Sequence, residues 1–302
     1  MSDIVSLMSD YTFRIVALGS LVLGIISGVL GSFAVLRKQS LIGDGVSHAA
    51  LPGVVIAFLL TGTKNTEILL LGALITGLMA TFLISGIVKT TRVKFDSALA
   101  MVLSVFFGAG MVLLTYSQKI PNANQAGLDR FIYGQASALL ERDITLMCGC
   151  GVVMLGIIAL CWKEFKLVCF DPEFASTLGF PVKKISSLLS VLVVIAIIVG
   201  LQTVGVILMS AMLIGPAVAA RQWSNKLSIM VVLSAIFGGV SGVIGTLISS
   251  SMVNVSTGPT IVVCVSIITI FSLMFAPGRG VVYRIYRRRK NKKEFYNQGK
   301  VM

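Results

Sequence analysis

The chain has 302 residues, 56% of them hydrophobic and only 12% charged, with a mean hydropathy of +0.96. That balance excludes an ordinary water-soluble globule and specifies a polytopic membrane protein. A net charge of +13 would suit a nucleic-acid binder, but the Lys and Arg residues stand between apolar runs and in the C-terminal tail, where they set topology instead.

A spanning helix needs about 20 apolar residues. By that measure nine runs qualify: 13–36, 40–60, 67–88, 97–116, 144–162, 185–201, 203–220, 227–249 and 259–277. Asp3 and Asp10 precede the first run, with no basic stretch or small-residue cleavage site, so the first span is expected to be retained rather than cleaved. Every second connection is basic: Arg37 and Lys38, then Lys89, Arg92 and Lys94, then Lys163 to Lys184, then Arg221 and Lys226, then Arg279 onward. The alternate connections are short, neutral or of mixed charge. Cytoplasmic enrichment in Lys and Arg therefore places the N-terminus outside and the C-terminus inside. The expected fold is an all-α polytopic bundle of eight or nine transmembrane helices with a short cytoplasmic helix. In the eight-span version, a tight hairpin at Gln202 is re-entrant. Residues 1–280 form the membrane domain and 281–302 a basic cytoplasmic tail.

Small residues recur at packing intervals. Gly24 and Gly28 stand four apart in the first span, and Gly238, Gly242 and Gly245 follow in the eighth, a pattern that lets helix backbones approach closely in lipid. Packing within the chain is the expected use. Pro52 and Pro216 each delete a backbone hydrogen bond inside a span. The 13 methionines form no Met-x-x-Met ladder and read as core filler. Cys148, Cys150, Cys161, Cys169 and Cys264 lack metal-ligand spacing and read as small core residues. Asp96 fits either a pore residue or the start of the fourth span, and its place at a loop favours the start.

The longest basic connection contains a helix written out with its punctuation, Asp171-Pro172-Glu173-Phe174-Ala175-Ser176-Thr177-Leu178-Gly179-Phe180-Pro181. Asp171 is the N-cap, Pro172 is preset for the first helical position, and Glu173 suits the positive end. Gly179 closes the helix and Pro181 prevents its continuation. Two turns with Phe174 and Leu178 outward fit either insertion into a groove on a soluble partner or a position along the membrane interface. On the other side, 117–143 is expected to form a short helix or docking surface around Phe131-Ile132-Tyr133. The tail from Arg284 to Lys293 is expected to sit against anionic lipid. No G-x-x-x-x-G-K-[ST] loop and no catalytic triad occurs, so ATP hydrolysis, if used, belongs to another polypeptide.

The chemistry concentrates in Ser40 to Leu60. Asp44 is the only acid placed well inside an apolar span, and His48 is the only histidine in the chain. On a helix they share a face, about 6 Å apart along the axis, so one cation could touch both. An ionisable group at the centre of a span costs roughly 2.5–3.5 kcal/mol and is retained where it faces a bundle interior or an aqueous path. Carboxylate plus imidazole suits Mn, Fe, Zn or Co better than alkali ions. The residues alone leave two readings open, a transported-metal site or an Asp–His hydrogen bond that ties the helix in place. A membrane metalloenzyme would need a third ligand and a base near His48, and no second histidine exists.

The run Phe33-Ala-Val-Leu-Arg-Lys-Gln-Ser-Leu-Ile-Gly-Asp-Gly-Val-Ser-His-Ala-Ala-Leu-Pro-Gly53 resembles the signature of the ABC-3 permeases, the membrane subunits of bacterial manganese, zinc and iron importers. Asp171–Pro181 is similar to that family's coupling helix, and Val204–Ala217 to its seventh segment; the similarity runs from about residue 12 to 278. The resemblance implies a transport permease of the bacterial cytoplasmic membrane, paired with a second copy or paralogue. It implies two cytoplasmic ATPases docked on Asp171, Pro172, Glu173, Phe174, Ala175, Leu178 and Gly179, and an extracytoplasmic metal-binding protein. Asp44 and His48 would then be ion ligands, with no permanently bound cofactor and Mn(II) the leading cargo over Zn(II) or Fe(II). The alternative class is a secondary metal transporter driven by an ion gradient.

Overall fold

In the computed structural model the described residues are 11–63, 65–119, 139–252, 255–277, 279–285 and 287, with the backbone alone described at 202–204, 207 and 208. Eleven helices are found among them: α1 (Tyr11–Leu36), α2 (Ile42–Thr61), α3 (Thr66–Thr90), α4 (Phe95–Gln118), α5 (Glu141–Leu160), α6 (Trp162–Phe170), α7 (Pro172–Thr177), α8 (Val182–Val204), α9 (Val206–Trp223), α10 (Leu227–Ser251) and α11 (Thr257–Phe275). Eight of these are long and apolar enough to cross a membrane. The exception among the long helices is α9, 18 residues that rise about 27 Å.

Helices α1 and α2 are the most enclosed and α4, α5 and α11 the least. The apolar residues left outward lie in stripes, such as Leu71, Ile75, Met79 and Phe82 on α3, as lipid-facing surfaces require. The tightest seam joins α1 to α10. Gly24 meets the backbone of Gly238, Gly28 that of Ser234, and Gly242 that of Ser20, an antiparallel register in which a Cβ at any of the three glycines would collide with main chain. Ser234 Oγ donates to the Gly28 carbonyl at 2.7 Å and Thr246 Oγ1 to Ser20 Oγ at 3.2 Å, so the close approach also satisfies buried hydroxyls. The glycine pattern is thus used for packing within the chain, as its spacing predicts.

The two ends of the bundle are distinguishable. At one end Arg37 reaches Ser186 at the start of α8, and Arg279 reaches the Arg221 carbonyl and the Asn225 side chain beyond α9. At the other, Arg142 pairs with Glu67 at 2.6 Å. Helix α9 returns the chain from the second end to the first, so it traverses the bundle as a ninth helix. It does so inside protein: Met209, Met212, Leu213, Ala217 and Ala220 are fully buried.

Three sequence expectations need correction. The turn between the sixth and seventh spans lies at Gly205 (φ 84), not at Gln202. Gly200 packs against Met209 across it, so the backbone reverses where only glycine tolerates that φ. The loop Lys163–Lys184 contains a second helix, α6. Its charged residues concealed an inward pair, Phe165 and Val168; Phe33 meets Trp162 and Phe165 edge-on, each with ring centroids 6.0 Å apart. Glu141, Arg142 and Asp143 form the first turn of α5 rather than part of the connection before it, while Phe131-Ile132-Tyr133 lies outside the described residues, as does the tail beyond 287. The cysteines are free: Cys264 is buried and the other four half-buried. Burial pushes the Cys169 thiol up to about 11, against the opposing pull of the Arg37 guanidinium.

Candidate metal centre

Asp44 and His48 occupy the first two turns of α2. The flanking glycines of Gly43-Asp44-Gly45 have a packing reason. A Cβ at Gly43 would stand 3.2 Å from Leu213 and from Ser210 Cα of α9, and one at Gly45 3.0–3.3 Å from the Leu99 side chain of α4. The absence of a side chain on either side lets α2 wedge between α4 and α9 and leaves Asp44 as the group that protrudes. Gly53 does the same against Gly72 of α3. Pro52 removes the N–H that would bond the His48 carbonyl, yet the helix continues to Thr61.

His48 Nε2 stands 3.3 Å from Asp44 Oδ1, and the two side chains are 20% and 41% exposed, respectively. Two donors each about 2.1 Å from one ion, at tetrahedral to octahedral angles, lie about 3.0–3.4 Å apart. The observed separation equals the bite of a single transition-metal ion and also permits an Nε2–H donation to the carboxylate. The ring is further held by Phe107 of α4, edge-on at a centroid distance of 4.8 Å. Its Nδ1 is buried with no hydrogen-bond partner among the described residues, as is Ser47 Oγ. A ligating imidazole normally has its second nitrogen fixed by an acceptor; here Asp44 and Phe107 set the ring orientation.

Among the described residues no three His, Cys, Asp or Glu side chains converge to hold a metal. The pair stands as one carboxylate and one imidazole, partly open on the side of Asp44. Asp44 begins a helix rather than sitting mid-span, and the packing of Gly43 against Ser210 and Leu213 sets it level with the middle of α9. Phe107 was not legible as a site residue, since nothing in an apolar run marks which aromatic meets an imidazole from another helix.

Helix α7 is built as its sequence predicts. Asp171 Oδ1 accepts from the Phe174 N–H at 2.9 Å and Pro172 opens α7. The Gly179 N–H bonds the Ser176 carbonyl and the Phe180 N–H bonds the Ala175 carbonyl, with Gly179 at φ 83, a Schellman closure. Ala175 is buried, whereas Phe174 and Leu178 are each more than half exposed. Together with Glu173, Ser176 and Lys183, α7 borders an open depression.

The family described as the ABC 3 transport family matches residues 9–276. The zinc transport system membrane protein TroC of Treponema pallidum (strain Nichols) is 52% identical over 96% of this chain and 97% of its own length. The manganese transport system membrane protein MntC of Bacillus subtilis (strain 168) is 50% identical over 89% of this chain, which spans 62% of that relative. Among solved structures, PsaBC from Streptococcus pneumoniae in complex with Fab superposes with a TM-score of 0.80 at 31% identity, over 92% of this chain and 97% of that one.

Proposed function

The chain belongs to the ABC 3 transport family, and from that premise we propose that it is the membrane-spanning permease of an ATP-driven importer of a divalent transition metal, with Asp44 and His48 as the ligands that pass the ion. The observation that carries the site is the 3.3 Å Asp44–His48 separation on a partly exposed strip of an otherwise enclosed helix. A second copy, or a paralogue, would complete the sphere with another carboxylate and another imidazole. Mn(II) is the leading cargo; the same oxygen and nitrogen donors accept Zn(II) and Fe(II), and relatives bear manganese and zinc in their names.

In this reading the basic end of the bundle is cytoplasmic, and α7 there receives a separate ATPase subunit, while an extracytoplasmic metal-binding protein delivers the ion at the Glu67–Arg142 end. ATP binding draws the two α7 helices together and rocks the spans, so that the ion passes the Asp44–His48 face and is released inside. Family membership disfavours a gradient-driven carrier. The deciding experiment is uptake of Mn, Zn and Fe into vesicles that carry the whole complex. Uptake that requires ATP supports the importer and identifies its ion, whereas ATP-independent uptake rejects the reading.

The exposed apolar pair on α7 yields a separate expectation. Leu178→Glu or Phe174→Ala is expected to weaken ATPase attachment by roughly tenfold or more, about 1.4 kcal/mol per decade, because a buried anchor is lost. Glu173→Ala should act in the same direction. Co-purification of the ATPase at the wild-type level with these variants would remove α7 from the interface.

A further inference from the structure

Arg37 immediately follows α1, seven residues before Asp44. Its side chain turns inward across the bundle to the first turns of α8. Nη2 donates to Ser186 Oγ at 2.5 Å, and Nη1 faces the Ser186 carbonyl at 3.3 Å and Ser190 Oγ at 3.4 Å. No carboxylate pairs with it among the described residues. Burial holds its pKa below the ordinary arginine value. A cation that needs only to be neutralised would take an acidic partner; this one uses its fork to grip three neutral oxygens on a single helix.

Both ends of that grip are stiffly connected. On one side the main chain runs from Arg37 to Asp44 through a closed turn, with Lys38 N–H bonded to Val35, Gln39 to Ala34, Ile42 to Gln39 and Gly45 to Leu41; Lys38 sits at φ 56. On the other, Ser186 stands in the first turns of α8, which starts directly after the Schellman closure of α7, with Lys184 and Ile185 N–H bonded to the Pro181 carbonyl. A displacement of α7 is therefore passed to the serines, and the serines hold the turn that leads into α2 and Asp44. Beside the guanidinium lies a cavity of ≈ 110 Å³, bordered by Gln39, Ser85, Lys89 and Ser187.

We propose that Arg37 is a positioning residue that transmits movement of α7 to the Asp44–His48 pair through its fork on Ser186 and Ser190. The proposal rests on the permease reading and adds to it the route from the ATPase contact to the ion ligands. Arg37 would be the hinge pin at which α1, α2 and α8 change register together.

The test uses the reconstituted complex with its ATPase, comparing wild type, Arg37→Met, Arg37→Lys, a Ser186→Ala/Ser190→Ala double variant and the combination of Arg37→Met with both serine changes. Methionine keeps the buried volume without an unpaired charge, so packing is preserved, and lysine keeps the charge without the fork. Uptake per ATP hydrolysed is expected to fall roughly tenfold in Arg37→Met, within the 5–150-fold range of ordinary coupling energies. Arg37→Lys should not restore it, and the combined variant should be no worse than Arg37→Met alone. Equilibrium Mn(II) binding to the nucleotide-free complex should be unchanged. An unaltered uptake-to-ATP ratio, losses that multiply in the combined variant, or weakened Mn(II) binding would each overturn the transmission role. If Arg37→Met does not assemble, the serine variant decides on the same ratio. A wild-type complex without ATP-dependent uptake would instead reject the permease reading itself.

Discussion

Replacing Asp44 by alanine is expected to bring ATP-dependent metal uptake to background while the complex still assembles and binds its ATPase. The reason lies in the donor count. In the proposed site one chain contributes two ligands, Asp44 and His48, and no third His, Cys, Asp or Glu converges on them among the described residues. Loss of a partner that merely orients a metal ligand costs on the order of 10–100-fold in affinity or activity, so loss of a direct ligand should cost at least the upper figure. The fold should tolerate the change. Asp44 is partly exposed at the start of α2, and the structural loss is one hydrogen bond to an imidazole still braced by Phe107, about 1 kcal/mol. Asp44→Asn separates the two meanings of the 3.3 Å distance. Asparagine can accept from the His48 N–H but is a poor ligand without its charge, so uptake should stay lost if the pair carries the ion. Uptake close to wild type in Asp44→Asn, with loss only in Asp44→Ala, would make the pair a structural tie.

Much of this site was legible in the chain because its constraints are local. An acid and an imidazole four residues apart meet on any helix, and α7 carries its own start and stop signals at Asp171, Pro172 and Gly179. Glycines four apart announce a close helix contact, although their partners lie more than 200 positions away. What was hidden depended on tertiary contact. Arg37 was counted as a topogenic charge, and only the fold brings it to Ser186, 149 residues on. The signal that could have exposed it was the pair Ser186 and Ser190, one turn apart where the lysines at the opening of α8 give way to its apolar run. The helix α6 was obscured by its Lys and Glu residues, since a surface helix at a membrane border alternates too quickly for a hydropathy window. The Gly205 turn was misplaced because a polar Gln three residues earlier gave the stronger local signal.

The same dependence on packing makes Gly24→Val the change with the largest expected effect on the protein itself. In water-soluble cores an added methyl group is met by side chains that rotate aside, and overpacking costs about 1–3 kcal/mol. At Gly24 the opposing atoms are the carbonyl and amide of Gly238 and Gly239, which have no rotamer to adopt, so α1 and α10 must separate along their length. Separation would also break the Ser234–Gly28 and Thr246–Ser20 bonds, taking from Ser234 Oγ and Ser20 Oγ their partners across the seam. With lipid tails as apolar as the residues they would replace, no hydrophobic term restores the seam. The expected loss therefore reaches or exceeds the top of that range, against a total stability of only about 5–15 kcal/mol. Gly24→Val should consequently be recovered in small amounts, with a melting temperature well below wild type in detergent. By contrast, Gly108→Val, at a position where nothing among the described residues lies within 4 Å of an added Cβ, should be recovered normally. Equal yield and melting temperature for the two variants would mean that the α1–α10 seam does not hold the bundle together.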